Sequence, residues 1–286
     1  MKTEQMDPLT ALIIIAFAFL AGLIGSLLGL GGGIIVIPAL TLALGFSMQE
    51  AVGASLIGVI ASSTGSASRY VQQGFVNVKL GMLLETTTTV GSIIGALIAI
   101  YTDQKILALV FAVMLLYSAV YMLRRPERTI SPESAELDGQ MLDLSCTYTD
   151  SRSGNEVCYG VKGIKTGMGA GLLAGATSGM LGVGGGVIKV PVMNTCMCVP
   201  MKAATATSNF MIGVTALAGA VVYYSYGLIS PVLAGTVAVG VIVGSFIGTH
   251  ITFRSEGNSI RKMFSIVLFM IAALMILKAA GLLEAV

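Results

Sequence analysis

Apolar runs of near-membrane length alternate with short polar punctuation along this chain. They cover 10–30, 34–45, 49–68, 80–100 and 105–123, then 163–181, 187–199, 203–225, 230–252 and 263–283. About 20 apolar residues in a helix cross a hydrocarbon core of ~30 Å. Barrel strands would alternate apolar and polar positions over about 10 residues, and the runs do not read that way. The pattern predicts helices. Two runs, 34–45 and 187–199, are too short to cross comfortably alone, and each directly follows a cluster of glycines.

Those clusters are one pattern written twice. Residues 28–38 read LGLGGGIIVIP and residues 181–191 read LGVGGGVIKVP. Gly31 corresponds to Gly184 and Pro38 to Pro191, an offset of 153 positions. The same offset pairs Ser55 with Ser208, Tyr70 with Tyr223, Gly91 with Gly244 and Gly95 with Gly248, without a gap. The expected architecture is an all-α integral membrane protein of two homologous repeats. Each repeat holds a helix, a glycine break, a short helix and three further helices. Repeat one is 1–123, a polar linker 124–162 follows, and repeat two is 163–286.

Composition agrees with a membrane chain. Of 286 residues, 55% are hydrophobic and 10% charged, with mean hydropathy +0.90. Soluble domains carry about 25% charged residues. A net charge of +2 distinguishes no partner, and no basic patch with stacking aromatics points to nucleic acid. Lys2 is offset by Glu4 and Asp7, so the first apolar run reads as retained rather than as a cleaved signal. The linker carries Arg124, Arg125, Arg128 and Arg152 among acids such as Glu133, Glu136, Asp138 and Asp143. It has room for one small amphipathic element.

Charge counting orients the repeats. If each glycine-broken pair adds an even number of crossings, as a re-entrant hairpin or two full spans, each repeat crosses an odd number of times. The second copy is then inverted. Arg69, Lys79, Arg124, Arg125, Arg128, Lys162, Lys165, Lys202, Arg254, Arg261 and Lys262 fall on one side, and Lys2, Lys105 and Lys278 on the other. A parallel arrangement would move Lys202, Arg254, Arg261 and Lys262 away from the first group. Cytoplasmic loops collect Lys and Arg, so inversion is expected, with the linker cytoplasmic and both termini outside.

The glycine clusters are the candidate site. Irregular backbone at membrane depth survives only where protein buries it or it lines a cavity. Gly31, Gly32 and Gly33, with Gly184, Gly185 and Gly186, can adopt angles closed to other residues and admit close approach. Gly29, Pro38, Gly182 and Pro191 frame the breaks. A helix beginning at such a break presents free amides and a positive dipole end, which suit an anion. Gly25, Gly29 and Gly33 also have the spacing of close helix packing. Ser26, Thr41, Ser55, Ser62, Ser63 and Thr64, with Thr177, Ser178, Asn194, Thr195, Thr205, Thr207, Ser208 and Asn209, are neutral polar residues near the breaks. Each could face an anion or bond its own helix. Ser55, Ser208, Asn194 and Asn209 are carried as binding candidates.

Three ionisable residues matter. Lys189 lies inside the second short helix, where charge is costly; it could attract the anion, pair with an acid or snorkel to the interface. Glu85, before Thr86-Thr87-Thr88-Thr89, could carry a coupling proton or partner Lys189. His250 reads as interfacial. Cys196 and Cys198 read as buried small hydrophobes, and no metal or cofactor is expected.

The segments LGLGGGIIVIPAL and LGVGGGVIKVPVM, with ATATSNFMIGVTA at 204–216, resemble the TauE/SafE sulfite-exporter family over nearly the whole chain outside 126–160. The resemblance implies transport of a small sulfur-containing anion, such as sulfite or an organosulfonate, through the cytoplasmic membrane. It carries Gly29, Gly31, Gly32, Gly33 and Pro38, and Gly182, Gly184, Gly185, Gly186 and Pro191, into the functional core. The expected activity is secondary transport, in the export direction, by alternating access around two glycine-headed half-helices. A passive anion channel and an uptake permease are the alternatives. Expected partners are the anion, the lipid bilayer and a coupling ion, H+ or Na+; a homo-oligomer is left open. An enzyme is not expected.

Overall fold

The computed structural model describes residues 7–124, 144–149, 156–254 and 257–279. Arg125, Arg128, Glu133, Glu136, Asp138, Asp143 and Arg152 of the linker, with Lys2, lie outside them. The first half holds α1 (Pro8–Leu28), α2 (Gly33–Pro38), α3 (Met48–Gln72), α4 (Val78–Ile100) and α5 (Gln104–Arg124). The second half holds α6 (Ile164–Leu181), α7 (Gly186–Thr195), α8 (Met201–Ser225), α9 (Pro231–Arg254) and α10 (Gly257–Ala279). Five of them, α1, α3, α4, α8 and the 231–251 stretch of α9, are long and apolar enough to cross a membrane.

The helix ends follow local chemistry. Ser47 caps α3 in a reciprocal box with Glu50, which satisfies two otherwise orphaned amides. Asn77 accepts from the Leu80 amide to start α4. Gly29 ends α1, and Gly182 ends α6, in the left-handed conformation, the usual glycine C-terminal device. Pro38 has no amide to donate, so the first short helix loses one hydrogen bond there. It widens into a π-helical turn at Ala39–Ala43. Around Pro191 the second short helix continues to Thr195 instead.

Packing exchanges the two halves. α1 lies along α9, with Gly244 on the Phe19 carbonyl and Gly248 on the Leu23 carbonyl. α6 lies along α4, with Gly91 on the Leu172 carbonyl and Gly95 on that of Ala176. Each contact of one pair is a contact of the other at the same 153-residue offset. Residue numbers rise together in both pairs, so the partners run parallel. The matched helices α3 and α8 run antiparallel: Ser63 meets Gly213 while Leu56 meets Gly219. α5 and α10 pack on each other and join the same apolar core. Glycines set these distances, because a bare Cα lets backbones touch where a side chain would separate them.

The segment read as a linker contains a small sheet. β1 (Cys146–Thr149) and β2 (Glu156–Tyr159) form an antiparallel hairpin. Alternating residues explain it: Tyr148 and Tyr159 turn inward while Thr147 and Cys158 turn out. The tyrosines pack with Phe75, Leu80, Met197 and Val199, and Asn77 donates to the Leu144 carbonyl. The hairpin therefore covers the junction of α4 with the end of α7. Burial pushes the Tyr159 phenol far above its usual range, and its hydroxyl has no hydrogen-bond partner. An unfolded phenol ionises near pH ~10. The folded one stays protonated, so its stabilising effect is complete below that pH and fades as the pH rises past it. Tyr159→Phe is expected to melt like wild type at neutral pH and to lose less Tm in alkali. Paired melts at the two pH values check it.

Candidate functional site

The two glycine breaks meet at the centre of the bundle. Gly31 and Gly32 have φ of 72° and 80°, and Gly184 and Gly185 both have 77°. These angles turn the chain back so that a new helix starts beside the one just ended. Gly32 then rests on the Ala21 carbonyl and Gly185 on that of Ala174, the matched residues of α1 and α6. Each break also touches the other. Gly33 abuts the Gly182 carbonyl, and Gly186 abuts the Gly29 carbonyl. Val59 and Ile212, matched residues of α3 and α8, both press on Gly31 and on Gly184.

Two matched serines tie this crossing. The Ser55 hydroxyl donates to the Gly182 carbonyl at 2.7 Å. The Ser208 hydroxyl donates to the Gly29 carbonyl at 2.8 Å. Both carbonyls sit at helix ends and lack helical donors, so each serine satisfies the orphaned group of the opposite half. Ser55→Ala and Ser208→Ala should each cost about 1–3 kcal/mol, because each strands a buried acceptor. Reciprocity predicts similar losses from the two variants. Thermal melts in detergent measure both; a drop in only one would break the equivalence.

Side-chain chemistry breaks the symmetry. Lys189 lies one turn into α7, and its stem runs back over Gly185, as helical side chains lean toward the N-terminus. Its Nζ donates to Thr215 Oγ1 at 2.7 Å and lies 3.6 Å from Glu85 Oε2. Thr215 Oγ1 donates to Glu85 Oε1 at 2.7 Å, and Thr89 Oγ1 donates to the same oxygen at 3.2 Å. The lysine side chain is 2% exposed and the glutamate side chain 13%. At the positions matched by the 153-residue offset stand Val36, Ala238 and Ser62. There, Ile14, Phe17, Val36, Leu40, Leu44 and Val237 line an apolar pocket, and the buried Ser62 hydroxyl has no partner.

Comparison with known proteins places this architecture. The profile described as "Sulfite exporter TauE/SafE" matches residues 14–275. The chain belongs to the TauE/SafE family. It is 28% identical over 272 residues to a probable membrane transporter protein, YunE of Bacillus subtilis, covering 92% of this chain and 96% of that one. It is 26% identical over 280 residues to the probable membrane transporter protein MJ0441 of Methanocaldococcus jannaschii, covering 93% and 95%. YdhB, another probable membrane transporter protein of Bacillus subtilis, is 28% identical over 242 residues, covering 84% and 90%. No solved structure matches. The protein is a multi-pass membrane transporter, not an enzyme.

Within this TauE/SafE chain the candidate residues separate into groups. Gly29, Gly31, Gly32, Gly33 and Ser55 come together with Gly182, Gly184, Gly185, Gly186 and Ser208 at the crossing. Asn209 is beside it: its amide donates to the Ser26 carbonyl at 2.7 Å, and its Oδ1 is buried without a partner. Asn194 is elsewhere, at the far end of α7, where its amide donates to the Val199 carbonyl. Pro38 and Pro191 lie within the short helices rather than at the crossing. Several other hydroxyls bond their own helix: Thr41 to Ile37, Thr64 to Ile60, Thr177 to Ala174 and Thr195 to Pro191.

Thr215 joins Lys189 to Glu85 and was not a candidate in the sequence. Its one available signal was its match to Ser62, a second hydroxyl at the same depth. Cys146, Cys158, Cys196 and Cys198 form no disulfide. The described residues hold no cluster of three metal-ligating side chains. His250 is exposed on α9.

Proposed function

We propose that the chain is a secondary exporter of a small sulfur-containing anion, sulfite or an organosulfonate, across the cell membrane. In this reading the halves are inverted, the linker is cytoplasmic, both termini lie outside, and the short helices enter as broken hairpins. Alternating access proceeds around the crossing of the two breaks. The observation that carries the reading is the reciprocal tie of that crossing, Ser55 to Gly182 and Ser208 to Gly29. The antiparallel run of α3 and α8 supports inversion, since matched helices of inverted repeats must point opposite ways. The exchanged packing supports alternation: whatever α1 and α9 do on one face, α6 and α4 can do on the other.

The anion is held, in this reading, at the start of α7, between the Lys189 ammonium and the amides of Gly184, Gly185 and Gly186. The family description supports sulfur chemistry. Val59 and Ile212 fill the axis between the breaks, which favours an occluding carrier over an open pore. The test is reconstitution of the purified chain alone in liposomes with sulfite, sulfate, thiosulfate, sulfoacetate and taurine. Saturable flux with counterflow of at least one is expected. Gly32→Val and Gly185→Val, in protein that still inserts, are expected to abolish it. Undiminished flux through both variants would sink the reading.

A further inference from the structure

We propose that Glu85 is a built-in competitor for the anion at Lys189, and that a proton joins Glu85 when the anion displaces it. The proton then travels with the anion, and the step is electroneutral. This rests on the transporter reading above and specifies how its site is regulated.

The geometry of the pair is lopsided. Glu85 Oε1 accepts two hydrogen bonds, from Thr215 and Thr89. Glu85 Oε2 accepts none. It faces the Lys189 ammonium at 3.6 Å, beyond hydrogen-bond reach. Lys189 has three protons to donate, and Thr215 is its hydrogen-bond partner among the described residues. Buried ion pairs hold well when further hydrogen bonds satisfy every remaining atom. This one keeps an unsatisfied oxygen and an under-used ammonium face to face. A small oxyanion satisfies the ammonium better than Oε2 does.

Entry of that anion puts two negative charges beside one positive charge in a buried place. Like charges sharing a site favour protonation of one of them. A proton on Oε2 resolves the conflict. It removes the carboxylate charge, and the new O–H donates to an oxygen of the anion, so the unsatisfied atom gains a partner. The balance is simple. Before entry the site holds Lys189 positive and Glu85 negative. Afterwards it holds Lys189 positive, the anion negative and Glu85 neutral. One monovalent anion enters with one proton, and net charge stays at zero.

Few other charges reach Glu85. From α7 the facing group is Lys189. α6 carries Lys165, on its exposed side in the first turn. α8 carries Lys202 in its first turn and Tyr223 and Tyr224 near its end, far along the helix from Thr215. The hairpin near Leu80 and Leu84 carries Cys146, Tyr148, Glu156, Cys158 and Tyr159. On α4 itself Lys79 lies in the first turn. Among the described residues Lys189 is the ion-pair partner of Glu85. The matched site has Val36 and Ala238 in place of Lys189 and Glu85, so one cycle moves one proton.

The experiment measures binding and protons together, on full-length protein in detergent with methanesulfonate, which carries no titrating group near neutrality. Binding is read by thermal shift and proton uptake by a pH electrode in lightly buffered solution. Wild type is expected to take up about one proton per anion bound. Glu85→Gln keeps an acceptor for Thr215 and Thr89. It is expected to bind at least about tenfold more tightly, because the competing conformer is gone, and to take up no proton. Lys189→Met is expected to bind none. Binding by wild type without proton uptake overturns the proposal, even if Glu85→Gln does not fold. Glu85→Gln that is stabilised by neither methanesulfonate, sulfite nor chloride overturns it too, since a freed Lys189 must then attract no anion. Proton-linked binding without liposome flux would instead support this proposal and sink the transporter reading.

Discussion

Gly186→Ala is expected to leave little folded protein. A methyl at Gly186 would strike the Gly29 carbonyl oxygen, and the carbonyl carbon and Leu30 Cα lie just behind it. All of these are backbone atoms, and they belong to the turn that ends α1. They cannot step aside without dissolving the Ser208 bond to the same carbonyl. Overpacking relieved by side-chain movement costs typically 1–3 kcal/mol; here there is no side chain to move, so the loss should exceed about 3 kcal/mol. Gly33→Ala meets the Gly182 carbonyl and Ser55 in the same way and should behave alike. Gly169→Ala is the contrast. Nothing lies within 4 Å of a methyl there, and alanine is a better helix former by roughly 0.8–1 kcal/mol. Size-exclusion profiles and thermal melts should show aggregation or a large Tm drop for the first two and an unchanged or raised Tm for the third. A Gly186→Ala protein melting within a degree of wild type would mean that the breaks do not touch.

The crossing was legible in the sequence because its requirement is steric. Only glycine tolerates the φ values at Gly31, Gly32, Gly184 and Gly185, and duplication marked the same requirement twice. The helices were legible for a similar reason, since apolar runs of fixed length have one low-energy form in lipid. The roles of Ser55 and Ser208 were not. A hydroxyl in an apolar run can donate to its own helix, to another backbone or to a ligand, and periodicity does not separate these. Their acceptors, Gly182 and Gly29, lie more than a hundred positions away. Thr215 escaped for the same reason. The hairpin escaped because its strands are four residues each and lie in polar sequence. What holds it is contact with Phe75, Met197 and Val199, which no local pattern announces.

Asymmetry between the two matched sites follows from unequal pairs of positions, Val36 against Lys189 and Ala238 against Glu85. At the crossing, backbone groups meet backbone groups, and the two sides are alike. One turn further on, side chains decide. Val36 needs only apolar neighbours, and its surroundings are an apolar pocket. Lys189 needs a counter-charge and hydrogen bonds, and α4 answers with Glu85 and Thr89 while α8 adds Thr215. The hairpin seals the end of α7 on that same side through Met193 and Met197. The matched end of the first half, at Leu40 and Leu44, instead borders the pocket. The charged position therefore coincides with the more enclosed one, where a bound ion feels its partners most strongly.

Lys189→Met should destabilise the protein more than any other single side-chain change at this site. It leaves the Glu85 carboxylate buried beside an apolar thioether, and removing one member of a buried pair typically costs about 3–5 kcal/mol. Glu85→Gln should cost less, because Gln keeps the Thr215 and Thr89 acceptor and any small anion in solution can stand in for the lost charge. The combined Lys189→Met, Glu85→Gln protein holds no uncompensated charge, so it should recover most of the loss from Lys189→Met alone. The interaction energy from the double-mutant cycle should then be large and favourable, on the order of 2 kcal/mol or more. Melts of all four proteins in one detergent, with and without methanesulfonate, give the answer. Additive losses would mean that Lys189 and Glu85 are held by separate neighbours. Non-additive losses, with the anion rescuing Glu85→Gln but not Lys189→Met, would mean that the ammonium is the anion's seat and the carboxylate its resident occupant. The matched site, with Val36 on α2 and Ala238 on α9, is already a neutral version of this one, so the fold itself does not need the charge. Its presence at only one of the two matched sites is what function, rather than stability, must explain.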